Sequence, residues 1–479
     1  MSGPLAGVKI LELTSVVLGP WACQMLADMG ADVIKIEPPR GDSNRTLGAY
    51  RNPGMAALYL TCNRNKRSIV LDLKQPAAKA VVLQLVKSAD VVVHNNRPQV
   101  MTKLGLDYAA LKIANPQVIY CGTYGYGKDG PYGARGALDD SIQAVSGIAM
   151  LNEMVLGEPR YLPTVVCDKT TAMQVVSAVT AALYHRERSG EGQEIEVPMF
   201  ETMVYYTMAE HLWGMTFEPP IGGPGYTRLM SHHRKPYKTL DGYIAILPYL
   251  DAHWESFCKL TGREDLLVDP RFTSLSNRVT NIDDTYQETA KTMLTRTTGE
   301  WLEIFGTSSV PTNMVNTLAG LKDDPHLKAV GFWQEVDHPT EGRLRMTRFP
   351  VTFSKTPADV RRLPPRLGEH TVEVLREAGL TEAEIAALLR KAVSRRKRGF
   401  RVVQPGLGGS IFSHVRWNAR ISQPRLGRTT YGFGAAPPWP SHPSRRNSKF
   451  TRFWRGFQTM PPGIRWSTNW RCGGPSNGG

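Results

Sequence analysis

Along the first two hundred residues the apolar positions switch repeatedly between two periods. Short apolar runs that read as strands alternate with longer stretches whose apolar residues recur every three or four positions. Residues 8–13 are the first strand-like run and 33–37 the next; between them come the loop 14–19, Pro20 suited to a first helical turn, and Gly30 suited to a helix end. The order then repeats. Arg64, Lys66 and Arg67 precede a strand that Lys74 follows. A helix is predicted over 77–88, a strand at 90–94, a helical stretch over 100–114 and a strand at 118–122. Such alternation predicts an α/β fold, a mostly parallel sheet covered by helices. Ligands of these sheets bind beyond the carboxyl ends of the strands, so the loops at 14–19, 38–45, 95–99 and 122–139 are the expected site.

The stretch 164–197 combines all three signals. Val165, Val166 and Cys167 read as a short strand, Asp168 turns the chain, and Ala172, Val175, Val176, Val179, Ala182 and Leu183 have the spacing of one buried helical face. Gly190 and Gly192 end that helix, and 194–197 alternates like another strand. Asp168 therefore sits where helix amides favour an anion. By itself this fits an N-cap better than a reactive group. The loop 122–140 holds six glycines and either hugs a ligand or is a surface loop.

From 203 to 228 the pattern turns irregular, with EPPIGGPGYT at 218–227, and reads as a linker. Beyond it Tyr237 to Leu247 flank Asp241-Gly242, a hairpin signal, and helices are predicted over 252–261, 279–294 and 299–306. This is a second, smaller α+β domain, taken as 229–315. Strands are expected within 334–355 and a helix pair within 369–391.

Composition refines this in two ways. Residues 394–479 hold 14 Arg, 2 Lys and no acidic residue, leaving 42 basic against 43 acidic groups in the rest. The high pI therefore belongs to the tail alone. The tail has no helical or strand period and reads as a disordered extension or out-of-frame translation; its Arg-Trp and RFWRGF segments admit RNA binding as another function class. The 6 cysteines form no CxxC pair and no metal spacing, which fits a reducing, cytoplasmic setting. No signal peptide and no run of about 18 apolar residues is seen, so no membrane span is expected. The loop after the first strand, TSVVLGP, lacks both the dinucleotide fingerprint and the P-loop pattern, which excludes NAD.

Segments spread through residues 5–393 resemble the class III coenzyme A transferases, the formyl-CoA and carnitine CoA-transferase family. They include LAGVKILELTSVVLGPWACQMLADMGADVIKIEPPRGD at 5–42, CNRNKRSIVLDLK at 62–74, ADVVVHNNRP at 89–98 and DKTTAMQVVSAVTAALYHRERSGEGQEIEV at 168–197. The resemblance implies a Rossmann-like large domain built from 1–202 and 316–393, an inserted small domain, and two chains interlocked as a homodimer. It implies that Asp168, ahead of RERSGEGQ, is the nucleophile, kept ionised by the helix amides. Acyl-CoA and a carboxylic acid are the implied substrates, with no metal, ATP or other cofactor. For coenzyme A it implies Val17, Leu18, Leu71, Asp72, Leu73, Lys74, Asn95, Asn96, Arg97 and Lys103, with Gly136, Ala137, Leu138 and Asp139 on the pantetheine side. Pro38 stands where some members carry a phosphate-binding Arg, so Arg40 is expected to substitute. Gly222, Gly223 and Gly225 are candidate oxyanion donors, and Trp213, Tyr226, His232, His233 and Tyr249 are candidates for an acyl pocket. The α-methylacyl-CoA racemases share this fold, but their pattern has a His where Leu138 stands and a glycine run where Lys-Thr-Thr follows Asp168. Both departures favour transfer over proton exchange.

Overall fold

The computed structural model describes residues 3–394; the basic tail, with every expectation attached to it, lies outside them. The chain runs β1 (Lys9–Leu13), α1 (Leu18–Asp28), β2 (Asp32–Glu37), α2 (Ala57–Cys62), β3 (Lys66–Val70), α3 (Pro76–Val86), β4 (Val91–His94), α4 (Pro98–Leu104), α5 (Tyr108–Ala114) and β5 (Ile119–Gly122). It continues through α6 (Asp139–Val145), α7 (Ile148–Leu156), α8 (Val166–Ser189), β6 (Glu194–Glu196) and α9 (Met199–His211). The six strands form one parallel sheet in the order β3-β2-β1-β4-β5-β6. The order reverses between β1 and β4, and a crevice opens at the carboxyl ends of two such neighbours.

Alternation along each strand sorts its residues onto two faces. Ile10, Val33, Val91 and Ile119 pack with Ala22, Leu26, Val175 and Val179 of α1 and α8. Leu11, Ile34, Ile69 and Val92 pack with Val82, Leu85 and Leu111 of α3 and α5. Because both faces are covered, β4 and β5 are almost wholly apolar, as parallel strands are, while β1, β2 and β3 also bury charged residues.

A second core follows. β7 (Tyr237–Lys238), β8 (Tyr243–Ile246), α10 (Asp251–Thr261), α11 (Asp265–Val268), α12 (Leu275–Thr280), α13 (Ile282–Met293), α14 (Thr298–Phe305) and β9 (Thr312–Met314) close around Trp254, Phe257, Phe272, Trp301 and Phe305. The three strands pair in the order β7-β8-β9, antiparallel. Then come α15 (Pro325–Ala329), the hairpin β10 (Trp333–His338) and β11 (Gly342–Thr347), α16 (Thr371–Glu377) and α17 (Glu382–Ser394). The chain thereby returns to β3. The Val70 amide donates to Thr371 Oγ1 at 3.2 Å, and Arg67 lies 2.7 Å from Glu377 and 2.6 Å from Asp32.

Three expectations change. Val166 and Cys167 are the first turn of α8, not a strand: two β-branched residues and a cysteine carry no period long enough to separate the two. The helix expected over 100–114 is two, divided at Gly105, which adopts φ +66° as a helix terminator. The first third of the linker at 203–228 belongs to α9, whose buried stripe of Met199, Met203, Thr207 and His211 is one residue wide and so reads as irregular. No described helix is long and apolar enough to cross a membrane.

The sheet also buries charge. Glu12, Lys35 and Lys66 are fully buried, with Lys35 Nζ 2.8 Å from Glu12 and 2.9 Å from Asp42, and Lys66 Nζ 2.8 Å from Glu12. Glu12 and Lys35 are register partners across β1 and β2. Burial disfavours the Lys35 charge, but Glu12, Asp42 and Glu37 outweigh it and raise its pKa. Removing one partner from such a group strands the others. Lys35→Ala is therefore expected to cost about 3–5 kcal/mol of unfolding free energy in urea denaturation. A loss under about 1 kcal/mol would show that the cluster is not needed, since that is the scale of an exposed ion pair.

Candidate active site

Asp168 is the third residue of α8 and is 8% exposed. It is not the N-cap: Val165 holds that place and has no side chain able to cap. The Asp168 amide donates to Asp139 Oδ1 at 2.9 Å, and Gln143 Nε2 donates to Asp139 Oδ2 at 2.7 Å. Asp139 opens α6, which packs against α8, so two buried carboxylates meet at one helix junction. Burial, and then the Asp139 charge, push Asp168 up to about 7. The expectation of a fully ionised carboxylate at neutral pH is thus corrected. The amide that would have favoured its charge is spent on Asp139.

The parallel sheet gathers the other expected residues at its carboxyl edge. Val17 and Leu18 follow β1, Arg40 follows β2, Leu71 to Lys74 follow β3, Asn95 to Arg97 follow β4, and Gly136 to Asp139 end the long loop after β5. The loops are stitched together. Asn95 Nδ2 donates to Ser15 O at 2.8 Å and Asn95 Oδ1 accepts from Ser15 N at 3.1 Å. Asn96 Nδ2 donates to Leu13 O at 3.2 Å, and Arg97 Nη1 to Ala134 O at 2.9 Å. Val17, Leu18 and Leu71 have buried side chains, which leaves only their backbone for the expected contact. Arg40, Lys74, Arg97 and Lys103 are exposed at the rim, and Leu138 is exposed beside buried Asp139.

Further along, Trp213 stacks on Tyr226 with ring centroids 4.8 Å apart, and Arg228 lies over the rings of Tyr226 and Tyr249. Three of the expected pocket residues therefore sit together, while His232 is drawn to Val155 O of α7 at 2.7 Å. The Gly225 amide is committed to His211 O at 2.9 Å, which removes it from the candidate oxyanion donors and leaves Gly222 and Gly223.

Sequence reasoning missed the residues beneath the edge. Val16 has φ +71°, a left-handed conformation that costs a β-branched residue about 1–2 kcal/mol. Its amide donates to Asp42 Oδ1 at 3.1 Å and its carbonyl accepts from Asn44 Nδ2. Asp42 and Asn44 are buried, and Arg45 beside them is held by Glu37 at 2.7 Å. Burial opposes the Glu37 charge, but Arg45 holds that carboxyl down to about 2. The available signal was charge in the middle of apolar strands, at Glu12 and Lys35, which a doubly covered sheet tolerates only when paired.

A doubly wound sheet of this order, with two buried carboxylates at one helix junction and cations around its ligand edge, is an α/β architecture suited to an anionic ligand. Residues 5–371 match the model of CoA-transferase family III. The chain is 34% identical over 383 residues to the succinate–glutarate CoA-transferase of Agrobacterium fabrum, covering 78% of this chain and 95% of that protein. It is 31% identical to the human succinyl-CoA:glutarate CoA-transferase, with 78% and 86% covered. The crystal structure of a CAIB/BAIF family protein from Brucella suis superposes with a TM-score of 0.67 at 32% identity, covering 79% of this chain and 100% of that one. The chain belongs to CoA-transferase family III and is a class III CoA-transferase.

The raised Asp168 pKa has a consequence for stability. Between about pH 4 and pH 7 the folded chain keeps this proton while the unfolded chain has lost it, so stability falls as pH rises. The contribution is full below the unfolded value and gone above about pH 7. Asp168→Asn removes the penalty. Relative to wild type it is expected to be more stable by about 2–4 kcal/mol at pH 8 than at pH 4, read from urea denaturation at both. An equal difference at the two pH values would refute the shift.

Proposed function

We propose that this enzyme moves coenzyme A between dicarboxylic acids of the succinate and glutarate size, with Asp168 as the covalent nucleophile. The buried Asp168 carboxylate beside Asp139 carries the reading. A poorly hydrated carboxylate is a stronger nucleophile than an exposed one, and this one titrates near neutrality. The succinate and glutarate activities of the two similar CoA-transferases supply the substrate class.

In the proposed cycle an Asp168 oxygen attacks the donor thioester carbonyl. The C–S bond breaks, leaving a mixed anhydride and coenzyme A thiolate. The thiolate attacks the Asp168 carbonyl carbon, the donor carboxylate leaves, and an aspartyl thioester forms. The acceptor carboxylate attacks that carbon and expels the thiolate, which then attacks the acceptor carbonyl and frees Asp168. Two thioesters are broken and two made, so the cycle consumes neither water nor ATP. Gly222 and Gly223 amides are the proposed oxyanion donors. The rim cations Arg40, Lys74, Arg97 and Lys103 meet the phosphates; Lys103 does so as a point charge. Asp72, Leu73, Asn95, Asn96, Gly136 and Ala137 line the path of the ligand.

We also propose the interlocked homodimer, with 229–315 as its inserted domain. Its support is apolar surface on α7, α8 and α9 that one chain leaves exposed: Met154, Leu156, Met173, Tyr184, Tyr205 and Tyr206. Light scattering should give twice the chain mass, and a monomer at micromolar concentration would sink the dimer.

Asp168→Ala should lower kcat by at least about a thousandfold, the scale of losing a covalent nucleophile. Borohydride quenching of the enzyme with succinyl-CoA or glutaryl-CoA should reduce Asp168, seen by peptide mass mapping. An unmodified Asp168 with every donor tried would overturn covalent catalysis. Since the ionised form attacks, kcat/KM for the donor should rise with pH and level off above about 7. A profile flat from pH 5.5 to 8 would remove Asp168 as the titrating group.

A further inference from the structure

The crevice at the switch point has two walls. One is the Ser15–Val17 turn after β1, and the other is the Asn95–Arg97 loop after β4. Asn95 ties the turn to the second wall through the backbone amide and carbonyl of Ser15. Val16 is turned the opposite way. At φ +71° its amide faces Asp42 and its carbonyl faces Asn44, both from the loop after β2. The turn is thus gripped from both flanking strands, and the strained peptide lies at its centre.

Backbone strain of this kind persists only where the surroundings over-determine it. Here they do. Asp42 also accepts from Asn44 N at 3.0 Å, forms the 2.9 Å ion pair with buried Lys35, and donates its own amide to Glu37 at 2.9 Å. Asn44 is fully buried. A glycine at position 16 would hold the same conformation without strain and without this apparatus. The chain instead builds a buried clamp for a valine, next to backbone expected to meet the acyl-CoA.

We propose that Asp42 and Asn44 are positioning residues for the acyl-CoA site. They hold the Val16 peptide left-handed and so set the distance between the Val17–Leu18 backbone and the Asn95–Arg97 wall. The proposal rests on the reading of this crevice as the coenzyme A site. Neither residue touches the ligand; both act through Val16.

The test is a double-mutant cycle of Asn44→Ala and Val16→Gly in the full chain. It reads the Kd of free coenzyme A by calorimetry, the KM of succinyl-CoA and the melting temperature. Asn44→Ala is expected to raise the Kd and the donor KM about tenfold, with kcat within threefold and the acceptor KM unmoved. In the Val16→Gly background the same substitution should cost less than threefold, because glycine needs no clamp. An equal loss in both backgrounds would make Asn44 a merely structural residue. An unchanged Kd in Asn44→Ala would overturn the clamp while leaving the site intact. If Asn44→Ala does not fold, Asn44→Ser replaces it; this keeps a small polar side chain that is too short to reach the Val16 carbonyl and should give a rise of the same kind, and no rise would overturn the proposal. Wild-type chain that binds no coenzyme A at all would refute the reading of the crevice itself, and the clamp with it.

Discussion

Charge neutrality inside the sheet constrains everything at its ligand edge. Glu12 lies between Lys35 and Lys66, and two buried cations cannot be balanced by one carboxylate. The missing charge comes from Asp42, which belongs to no strand. The loop after β2 is therefore recruited onto the sheet by an electrostatic deficit in the core. Once there, Asp42 fixes Val16, Lys35 donates to Thr14 O at 3.0 Å, and the β1 turn has no freedom left. Glu37 with Arg45 and Asp28 with Arg64 repeat the arrangement around it, each a buried pair neutral in itself. A parallel sheet needs only apolar faces to fold. The ionic pairs add a demand on where the loops lie, which apolar packing does not make.

The order and type of the elements could be read from the sequence because they depend on period. Apolar runs of four to six residues alternating with helical stretches leave few choices, and a parallel sheet then dictates which loops share an edge. The positions of Asn95, Arg97 and Asp139 at that edge follow from this alone. What could not be read depends on contacts distant in sequence. Val165 to Cys167 suit a strand or a helix equally, and it is packing of α8 against α1 and α6 that decides. The left-handed Val16 has no local signal, since no glycine or asparagine marks it. Its cause lies 26 residues away at Asp42.

Asp168 shows the same limit in its chemistry. Locally an aspartate in a first helical turn should be more acidic than usual. This holds while the helix amides are free donors. In the fold the Asp168 amide has a partner, Asp139, brought from 29 residues upstream by α6. Burial already disfavours the Asp168 charge, and the partner, itself a carboxylate, takes the donor and adds a like charge, so the local preference for ionisation is reversed.

Under the covalent mechanism proposed above, in which Asp168 carries the acyl group, the inversion matters. A carboxylate held well below its usual pKa is a stable anion, a weak nucleophile and a good leaving group; its anhydride would collapse back to the thioester. Raising the pKa towards neutrality makes the anion more reactive at the expense of the fraction ionised, and near pH 7 the two are balanced. Burial sets most of that balance in the free enzyme, and the Asp139 charge adds to it. The position of Asp139 is fixed by Gln143 on α6. A substitution at Gln143 that freed the Asp139 carboxylate to turn away would leave burial as the sole force on Asp168. It would lower the pH at which donor turnover levels off without touching substrate.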